Sequence, residues 1–313
     1  MRTPRCSVIL PTYNRAGALP RAVASVLAQD EPDFELIIVD DGSTDQTWTW
    51  LATLGDRRIR FARSERNQGP SAARNIGITM ASAPVLAFLD SDDAYCPNRL
   101  SLPLAVFARE PDVIGTLSAS RKQDKYGQAR AAPRPDVKLA PPAFEWAMLA
   151  DLVGVESTSI TVRTEHARKA GGFDVSLRRT EDREFLIRLA RLGALRALPD
   201  ILFEKAWSPD SLSNEWAGAG RDLIPYFRAR LQYLGAYRKL GHYLATKILV
   251  MHVRHRDFAS LSADLRRFRA AGLLDAGLVR LWRDHIEVRR YRRAHASAEA
   301  LRELTGPPTT WGA

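Results

Sequence analysis

Cysteine and long apolar runs are both scarce in this chain. Only Cys6 and Cys96 occur among its 313 residues, which excludes a disulfide framework, allows one bridge at most and is typical of a reducing compartment. The apolar run SVIL near the start is too short for the core of a secretory signal peptide. No stretch approaches the roughly 20 apolar residues of a membrane-spanning helix. We therefore expect a cytoplasmic protein, or one held peripherally at the inner face of a membrane.

Acidic residues are the minority, and the imbalance is concentrated late in the sequence. The chain carries 46 Lys and Arg against 36 Asp and Glu, a formal net charge of +10. Residues 214–313 contain 18 basic and 9 acidic residues, a net +9, in helical patterns rich in Arg and Leu. They form either a solvated helical subdomain packed on the rest or a surface that docks on anionic lipid. No recognised nucleic-acid motif accompanies the charge, so no nucleic-acid partner is expected.

Two histidines of this basic region, His252 and His255, are three residues apart, so one face of a helix could present both to a metal. Because no cluster of Asp, Glu or Cys is recognised beside them, a structural role is favoured. Four tryptophans, Trp146, Trp207, Trp216 and Trp282, are expected in the core or in an acceptor groove.

A repeated strand-to-helix pattern fills the first ninety residues. Apolar runs end in polar turn residues three times: SVIL into PTYN, ELIIVD into DGSTD, and VLAFLD into SDD. Such alternation predicts a mostly parallel open α/β sheet with helices on both faces. Ligands of these sheets bind beyond the carboxyl ends of the strands. The pairs and clusters of acids at 40–41 and 90–93 are therefore expected at the same edge.

Further elements are predicted along the chain. A weaker strand is expected at 59–63, a helix at about 70–80, a strand within 157–163 and a helix within 180–193, after a glycine turn at 171–172. The polar, proline-punctuated residues 121–142 favour a mobile loop or an extended crossover.

Asp90, Asp92 and Asp93 directly follow the third apolar run. Two carboxylates one residue apart at a strand end can converge on a hard divalent cation such as Mg²⁺ or Mn²⁺. A cation there would neutralise charge that builds on a leaving phosphate. The alternative is that these acids only cap the next helix, which Pro97 could start. Capping requires one carboxylate rather than three, so a functional role is favoured for Asp90 and Asp92.

Five segments in order carry a family resemblance: SVILPTYNR, ELIIVDDGSTDQT, NQGPSAARNIGI, VLAFLDSDDAYCPNRL, and GGFD followed by TEDREFLIRL. In this order and spacing, the chain resembles the inverting family 2 glycosyltransferases with a GT-A fold, over roughly residues 5–205. The resemblance implies a catalytic domain at 1–213 with a basic helical region at 214–313. It also implies a nucleotide-sugar donor, with UDP-sugars expected, Mn²⁺ or Mg²⁺, and an acceptor hydroxyl, lipid-linked glycans included. Biosynthesis of cell-surface polysaccharide or another glycoconjugate is the expected role.

The resemblance further implies the residues of the donor site. Asp41 would accept a hydrogen bond from the base edge, since a carboxylate suits the N–H of uracil, and Asp92 would be the principal metal ligand with Asp90. Stacking on Tyr13 can contribute about 1–3 kcal/mol. The implied donor-binding residues are Pro11, Thr12, Tyr13, Asp40, Asp41, Ser43, Asn67, Gly69, Arg74, Asp90, Ser91 and Lys205. Asp40 and Ser43 would support the turn, which Gly42 could also explain as simple turn chemistry, and Arg74 could equally be a solvated helix residue.

Asp182 in TEDREF matches the base position of the family. Inverting transfer is a direct displacement at the anomeric carbon, so the acceptor hydroxyl must lose its proton as it attacks. Neighbouring residues on a helix point in different directions, which leaves Glu181 an acceptor-positioning role. Alternatively, Thr180, Glu181 and Asp182 are only an acidic first turn favoured by the helix dipole.

The chain also departs from the family pattern. Many relatives carry a histidine ahead of a Ser-x-Ser loop, where this sequence offers Lys205 and Trp207. Either Lys205 covers the diphosphate with its positive charge or the metal shell differs. Two other functions stay open: a haloacid-dehalogenase-like phosphatase with Asp90 as nucleophile, and a non-catalytic protein that binds anionic surfaces.

Overall fold

A ten-stranded mixed sheet organises the first two thirds of the computed structural model, which describes residues 3–177, 179–208, 235–254, 256–274, 277–306 and 308. Its strands are β1 (Cys6–Thr12), β2 (Phe34–Asp40), β3 (Ile59–Arg63), β4 (Val85–Phe88), β5 (Ala94–Tyr95), β6 (Val113–Gln123), β7 (Ala129–Ala132), β8 (Val137–Leu139), β9 (Ile160–Arg163) and β10 (Ala194–Lys205). The main path runs β3-β2-β1-β4-β9-β6-β10-β5, while β7 pairs with β6 and β8 with β10.

The predicted open α/β sheet is confirmed, and its continuous parallel part is β3-β2-β1-β4. Beyond β4, the strand β9 runs antiparallel to both of its neighbours, and β6 and β10 are parallel to each other. Thr12 pairs with Asp40, and Asp40 pairs with Arg63. Because these strand ends lie at one level, the polar residues that follow them face the same edge.

Both faces of this sheet are buried, which explains the continuous apolar runs. Along β1, Val8 and Leu10 contribute to one core cluster and Ile9 to the other. The helices covering the sheet are α1 (Leu19–Leu27), α2 (Thr47–Leu51), α3 (Pro70–Met80), α4 (Ser101–Arg109), α5 (Ala143–Leu149), α6 (Thr164–Lys169) and α7 (Glu181–Leu189). Helix α3 approaches β1 so closely that a methyl group at Gly77 would overlap the Ile9 side chain.

The expectation of a loop or crossover at 121–142 is wrong. Strand β6 continues to Gln123 and forms a hairpin with β7, in which Asp124 N donates to Gln128 O (3.0 Å) and Gly127 has φ +79°. Strand β8 pairs with β10. These strands lie at the sheet periphery with several polar side chains exposed, so their polarity resembles that of a loop although their backbones are paired.

In the described part of the basic region the helices are α8 (Gly235–Arg254), α9 (Phe258–Ala270), α10 (Leu278–Ala294) and α11 (Ala298–Arg302). Buried pairs join them, with His242 Nδ1 at 2.7 Å from Asp284 Oδ2 and His252 Nε2 at 2.9 Å from Asp264 Oδ2. The favoured structural role of His252 therefore agrees with its surroundings.

The same helices also contact the sheet domain, since Trp146 Nε1 donates to Tyr291 Oη (2.9 Å). Trp146 is fully buried, whereas Trp207 and Trp282 are exposed, so a core position is wrong for these two. The expectations for His255 and Trp216 lie outside the described residues. In the ranges given above, no helix combines the length and the apolar character that crossing a membrane requires.

Candidate active site

The turn after β2 closes around the side chain of Asp41. Asp41 is only 3% exposed, and its Oδ2 accepts hydrogen bonds from the backbone N–H groups of Gln68 (2.9 Å) and Gly69 (2.7 Å). Its Oδ1 is buried and, within the described ranges, lacks a hydrogen-bond partner. One carboxylate oxygen therefore holds the loop before α3, while the other retains the capacity to accept a hydrogen bond from a ligand.

Asp40 and Ser43 lie beneath this turn and are buried. Asp40 Oδ2 pairs with Arg63 Nε at 3.2 Å, and Asp40 Oδ1 accepts from the Ser43 N–H at 3.1 Å. Ser43 Oγ in turn accepts from the Asn14 N–H at 2.9 Å, which ties the loop after β1 to the loop after β2. These contacts agree with the expectation that Asp40 and Ser43 support the turn.

Gly42 gives this turn its shape, with φ +77° and an ideal Cβ only 2.8 Å from the backbone carbon of Arg66. We expect Gly42→Ala to destabilise the fold by about 1–3 kcal/mol, because alanine is strained in this conformation and the contact is with backbone. Urea unfolding measures the loss. Gly55→Ala is the matched control, since nothing lies within 4 Å of its Cβ. Equal stability of the two variants would contradict the role given to Gly42.

Other donor-site candidates surround the same edge. Pro11 and Thr12 are buried at the end of β1, whereas Tyr13 is 40% exposed just beyond it. Asn67 is exposed, and its Oδ1 accepts from the Gly69 N–H (3.0 Å), at the residue that precedes α3. Tyr13 therefore has an open face for stacking, and Gly69 brings the start of α3 to the Asp41 turn.

The acidic cluster after β4 faces a lysine from β10. Burial raises the pKa of Asp93 to about 8, and its Oδ2 accepts from Thr158 Oγ1 at 2.7 Å. Burial and the nearby Asp90 also raise the pKa of Asp92. Burial alone would lower the pKa of Lys205, but Asp93, Asp90 and Asp92 together raise it above its usual range. A partly buried cation thus balances part of the charge of the clustered carboxylates.

Ser91 is 8% exposed within the turn that follows β4, and the Asp93 N–H closes this turn on the Asp90 carbonyl at 3.0 Å. Asp93 therefore bonds within the core rather than capping the next helix, because that helix, α4, begins only at Ser101. The alternative that these acids only cap the next helix is therefore wrong.

Arg74 on α3 joins the acidic cluster to the start of α7. Its guanidinium donates to Asp90 Oδ1 at 2.8 Å and to Glu181 Oε1 at 2.9 Å, and it lies 5.2 Å from the ring centre of Phe173. Burial opposes ionisation of Asp90, but Arg74 and Lys205 outweigh it and lower the pKa of that carboxyl. Arg74 is 3% exposed, so the interpretation as a solvated helix residue is wrong.

Asp182 lies in the first turn of α7, beside Glu181. Burial and the Glu181 charge raise the pKa of Asp182 to about 7, while its Oδ1 accepts from the Arg183 N–H at 2.7 Å. An acid placed only to complement a helix dipole would be stabilised in its charged form. Asp182 is destabilised as a carboxylate instead, which is the electrostatic condition of a base that works near neutral pH.

Several charged residues near the site escaped the sequence reasoning. Glu156 pairs with Lys122 and with Arg134, and Arg134 Nε donates to the Ser118 carbonyl at 2.6 Å. Lys122 belongs to the β6–β7 hairpin and Arg134 to the segment that joins this hairpin to β8, so neither was considered while the region was predicted as a loop. No local sequence signal pairs them with Glu156, because the pairing depends on the sheet.

The carboxylates suit a divalent cation of the kind that phosphate sites use. In the part of the chain that the structure describes, no three His, Cys, Asp or Glu side chains are grouped as metal ligands. Mg²⁺ beside a diphosphate needs only one or two protein carboxylates, with water and phosphate oxygens completing its shell. Asp92 and Asp90, whose Oδ1 is bound by Arg74, would supply those carboxylates.

The sheet order and the acidic strand ends define a GT-A-like fold. Residues 7–166 match the model of the family described as "Glycosyl transferase family 2". The chain belongs to glycosyltransferase family 2. This membership leaves the phosphatase interpretation without support.

Relatives and solved structures agree with that assignment. An uncharacterized glycosyltransferase of Rickettsia felis is 38% identical over 125 residues, 40% of this chain and 20% of the relative. WcaA of Escherichia coli K12, a putative colanic acid biosynthesis glycosyl transferase, is 41% identical over 104 residues, 33% of this chain and 37% of the relative. The chain thus spans well under half the length of these two relatives.

The crystal structure of S. aureus TarS in complex with UDP-GlcNAc superposes with a TM-score of 0.60 at 21% identity, over 96% of this chain and 90% of that one. At this identity the likeness concerns the fold. It extends over nearly the whole chain.

Proposed function

We propose that this protein transfers a sugar from a UDP-sugar to an acceptor hydroxyl with inversion at the anomeric carbon. The observation that carries the proposal is the bridge of Arg74 between Asp90 and Glu181. This bridge brings the acidic strand ends and the helix bearing Asp182 into one cleft. The name of WcaA, together with that of a Rhizobium meliloti relative described as a succinoglycan biosynthesis protein, supports a role in cell-surface polysaccharide or glycoconjugate synthesis.

The donor would bind along the edge formed by the loops after β1, β2 and β4. Asp41 Oδ1 accepts a hydrogen bond from the base, and the exposed ring of Tyr13 stacks against it. Asn67 and Gly69 lie where the start of α3 faces the diphosphate. Lys205 places its charge beside the leaving group. Mn²⁺ or Mg²⁺, held by Asp92 and Asp90, would neutralise charge on the departing diphosphate.

The acceptor would be activated by Asp182. With its pKa raised to about 7 by burial and the Glu181 charge, its carboxylate is a stronger base than an ordinary aspartate and is suited to take the hydroxyl proton near neutral pH. Glu181 is fixed by Arg74 (2.9 Å), so it orients the acceptor rather than receiving the proton. Attack of the hydroxyl oxygen forms the new glycosidic bond as the bond to the diphosphate breaks.

The basic helices are the part of the chain that we propose for contact with an anionic membrane at its inner face. Arg283 and Arg290 on α10 are exposed, and basic residues near such a surface contribute about 1 kcal/mol each. A lipid-linked acceptor would be presented at that surface.

Nucleotide binding tests the donor assignment. UDP with Mn²⁺ at 100 times its Kd should stabilise the wild type by about 2.7 kcal/mol, measured as a rise in Tm. In Asp92→Asn we expect the metal-dependent part of this rise to disappear, because the principal carboxylate ligand is lost. Glu165→Gln, which removes an exposed acid on α6, is the control and should respond like the wild type. An unchanged response of Asp92→Asn to Mn²⁺ would argue against the assigned ligand.

A further inference from the structure

A polar cavity of about 330 Å³ lies between α8, α10 and the residues that follow α5. Its polar lining comes from Asp151, Tyr243 and three arginines, Arg289, Arg292 and Arg293. None of these five residues belongs to the donor edge described above. The cavity is therefore separate from the donor edge. It lies where the helical region contacts the sheet domain.

The cavity carries an excess of positive charge. Spacings of three and four residues place the arginines on one face of α10. Asp151 is the one acid among the lining residues, and its carboxylate is already bound by Arg292 (2.6 Å) and Arg183 (2.5 Å). Arg289 and Arg293 are exposed, and no ion pair is found for them among the described residues.

Arg292 is held by hydrogen bonds from its two Nη atoms, and its Nε–H group is a further donor. Its Nη1 donates to Tyr243 Oη at 2.5 Å and its Nη2 to the Asp151 carbonyl at 2.8 Å. Its Nε is buried and has no hydrogen-bond partner within the described part of the chain. Guanidinium groups match the geometry of phosphate oxygens. One held arginine and two arginines without an ion pair among the described residues therefore suit a phosphate group.

The cavity is linked to the proposed base, Asp182, through the residue that follows it in the sequence. Arg183, which pairs with Asp151, directly follows Asp182, and its Nη1 also donates to the Met148 carbonyl at 2.6 Å. The acceptor must approach Asp182 to lose its proton, whereas the donor lies along the strand ends at Asp41 and Asp92. The cavity is thus connected, through the pair of Asp151 with Arg183, to the turn of α7 that bears Asp182.

We propose that this cavity binds a phosphate group carried by the acceptor, an assignment that rests on the proposed transferase function. Arg289 and Arg293 bind phosphate oxygens, and the Nε–H of Arg292 donates a further hydrogen bond. Because Arg292 and Arg183 share Asp151, the bound phosphate holds the acceptor at a set position relative to Asp182.

Calorimetric titration of the full chain with α-D-glucose 1-phosphate, in excess UDP and Mn²⁺ to fill the donor site, tests the cavity directly. We expect saturable binding by the wild type, none of glucose, and competition by inorganic phosphate. The double variant Arg289→Gln/Arg293→Gln should weaken binding at least about tenfold, since it removes two charge-assisted hydrogen bonds to the phosphate. Arg57→Gln/Arg109→Gln removes the same charge from exposed residues of the sheet domain, outside both the cavity and the basic helices, and should stay within about twofold of the wild type.

Transfer kinetics test the link to the acceptor. With a phosphorylated acceptor, the cavity double variant should raise the acceptor KM about tenfold and leave the KM for the UDP-sugar unchanged. Equal weakening in both double variants, an equal KM change with an unphosphorylated acceptor, or binding to phosphatidylglycerol vesicles without binding to the soluble phosphate ester would each overturn the proposal. Failure of the wild type to bind UDP would instead refute the proposed UDP-sugar donor, and the glucose 1-phosphate comparison of the two variants would still decide the cavity.

Discussion

Asp182→Asn should reduce kcat by about 10²–10⁴-fold, the usual contribution of a positioned general base. Asparagine cannot take the hydroxyl proton, yet it occupies nearly the same volume. Donor affinity should therefore stay near that of the wild type. Nucleotide release from a UDP-sugar in the presence of acceptor measures the effect, with Glu165→Gln as a control that retains activity. Wild-type kcat in the Asp182→Asn protein would remove Asp182 from the chemistry.

The same substitution should make the protein more stable at neutral and alkaline pH. Burial and Glu181 raise the pKa of Asp182 from 3.8 to about 7, so the folded protein binds this proton more tightly than the unfolded chain. The ionised group therefore lowers the free energy of unfolding progressively as the pH rises from about 4, and fully above about 7. The Tm of Asp182→Asn should exceed that of the wild type at pH 8, and the difference should shrink towards pH 4. A variant that loses activity through general damage to the fold would show the opposite change in Tm.

The pH dependence of transfer follows from the same pKa. Because the base acts as a carboxylate, kcat of the wild type should rise with pH and level off above about 7. Asp182→Asn should lose this inflection in its residual activity. An inflection that persists in the variant would assign the titration to another group.

Replacing Arg74 by methionine should cost about 3–5 kcal/mol of stability, the usual loss when one partner of a buried ion pair is removed. Arg74 is 3% exposed and is the cation shared by Asp90 and Glu181. Without it, two carboxylates face each other inside the cleft, so transfer should fall as well. Urea unfolding and UDP binding measure the two losses.

Arg66→Met provides the matched control, because Arg66 is exposed in the loop before α3. Adding Glu181→Gln to Arg74→Met should restore part of the stability, since it removes one of the uncompensated charges. Stability of Arg74→Met equal to that of Arg66→Met would contradict the bridge between the two halves of the site. Full activity in Arg74→Met would do so independently.

The sequence and the structure agree best where a pattern is local. The apolar runs in β1, β2 and β4 predict buried strands, because each run alternates its side chains between two covered faces. Gly171 and Gly172 predict a turn, and both have a positive φ. These features depend on residues close to one another in the chain, which is why pattern reasoning succeeds.

The site was harder to predict where its geometry depends on distant partners. Glu181 is 107 residues from Arg74, and sequence reasoning treated Arg74 as a phosphate contact or a solvated residue. Asp151 was not considered at all, although it connects Arg183 to Arg292. No spacing rule links residues whose proximity arises from sheet order and from the packing of helices on that sheet.

By itself, the sequence determined the open α/β sheet, the family, and the acids at the ends of its strands. Apolar periodicity and ordered motifs are properties of neighbouring residues, so they can be recognised in the sequence without knowledge of the fold. Only the tertiary structure decided which charges meet: Lys205 against Asp90, Asp92 and Asp93, and Arg74 between Asp90 and Glu181. Those pairings raise or lower the pKa of each carboxyl through burial and Coulomb forces, which depend on distance in space rather than on separation along the chain.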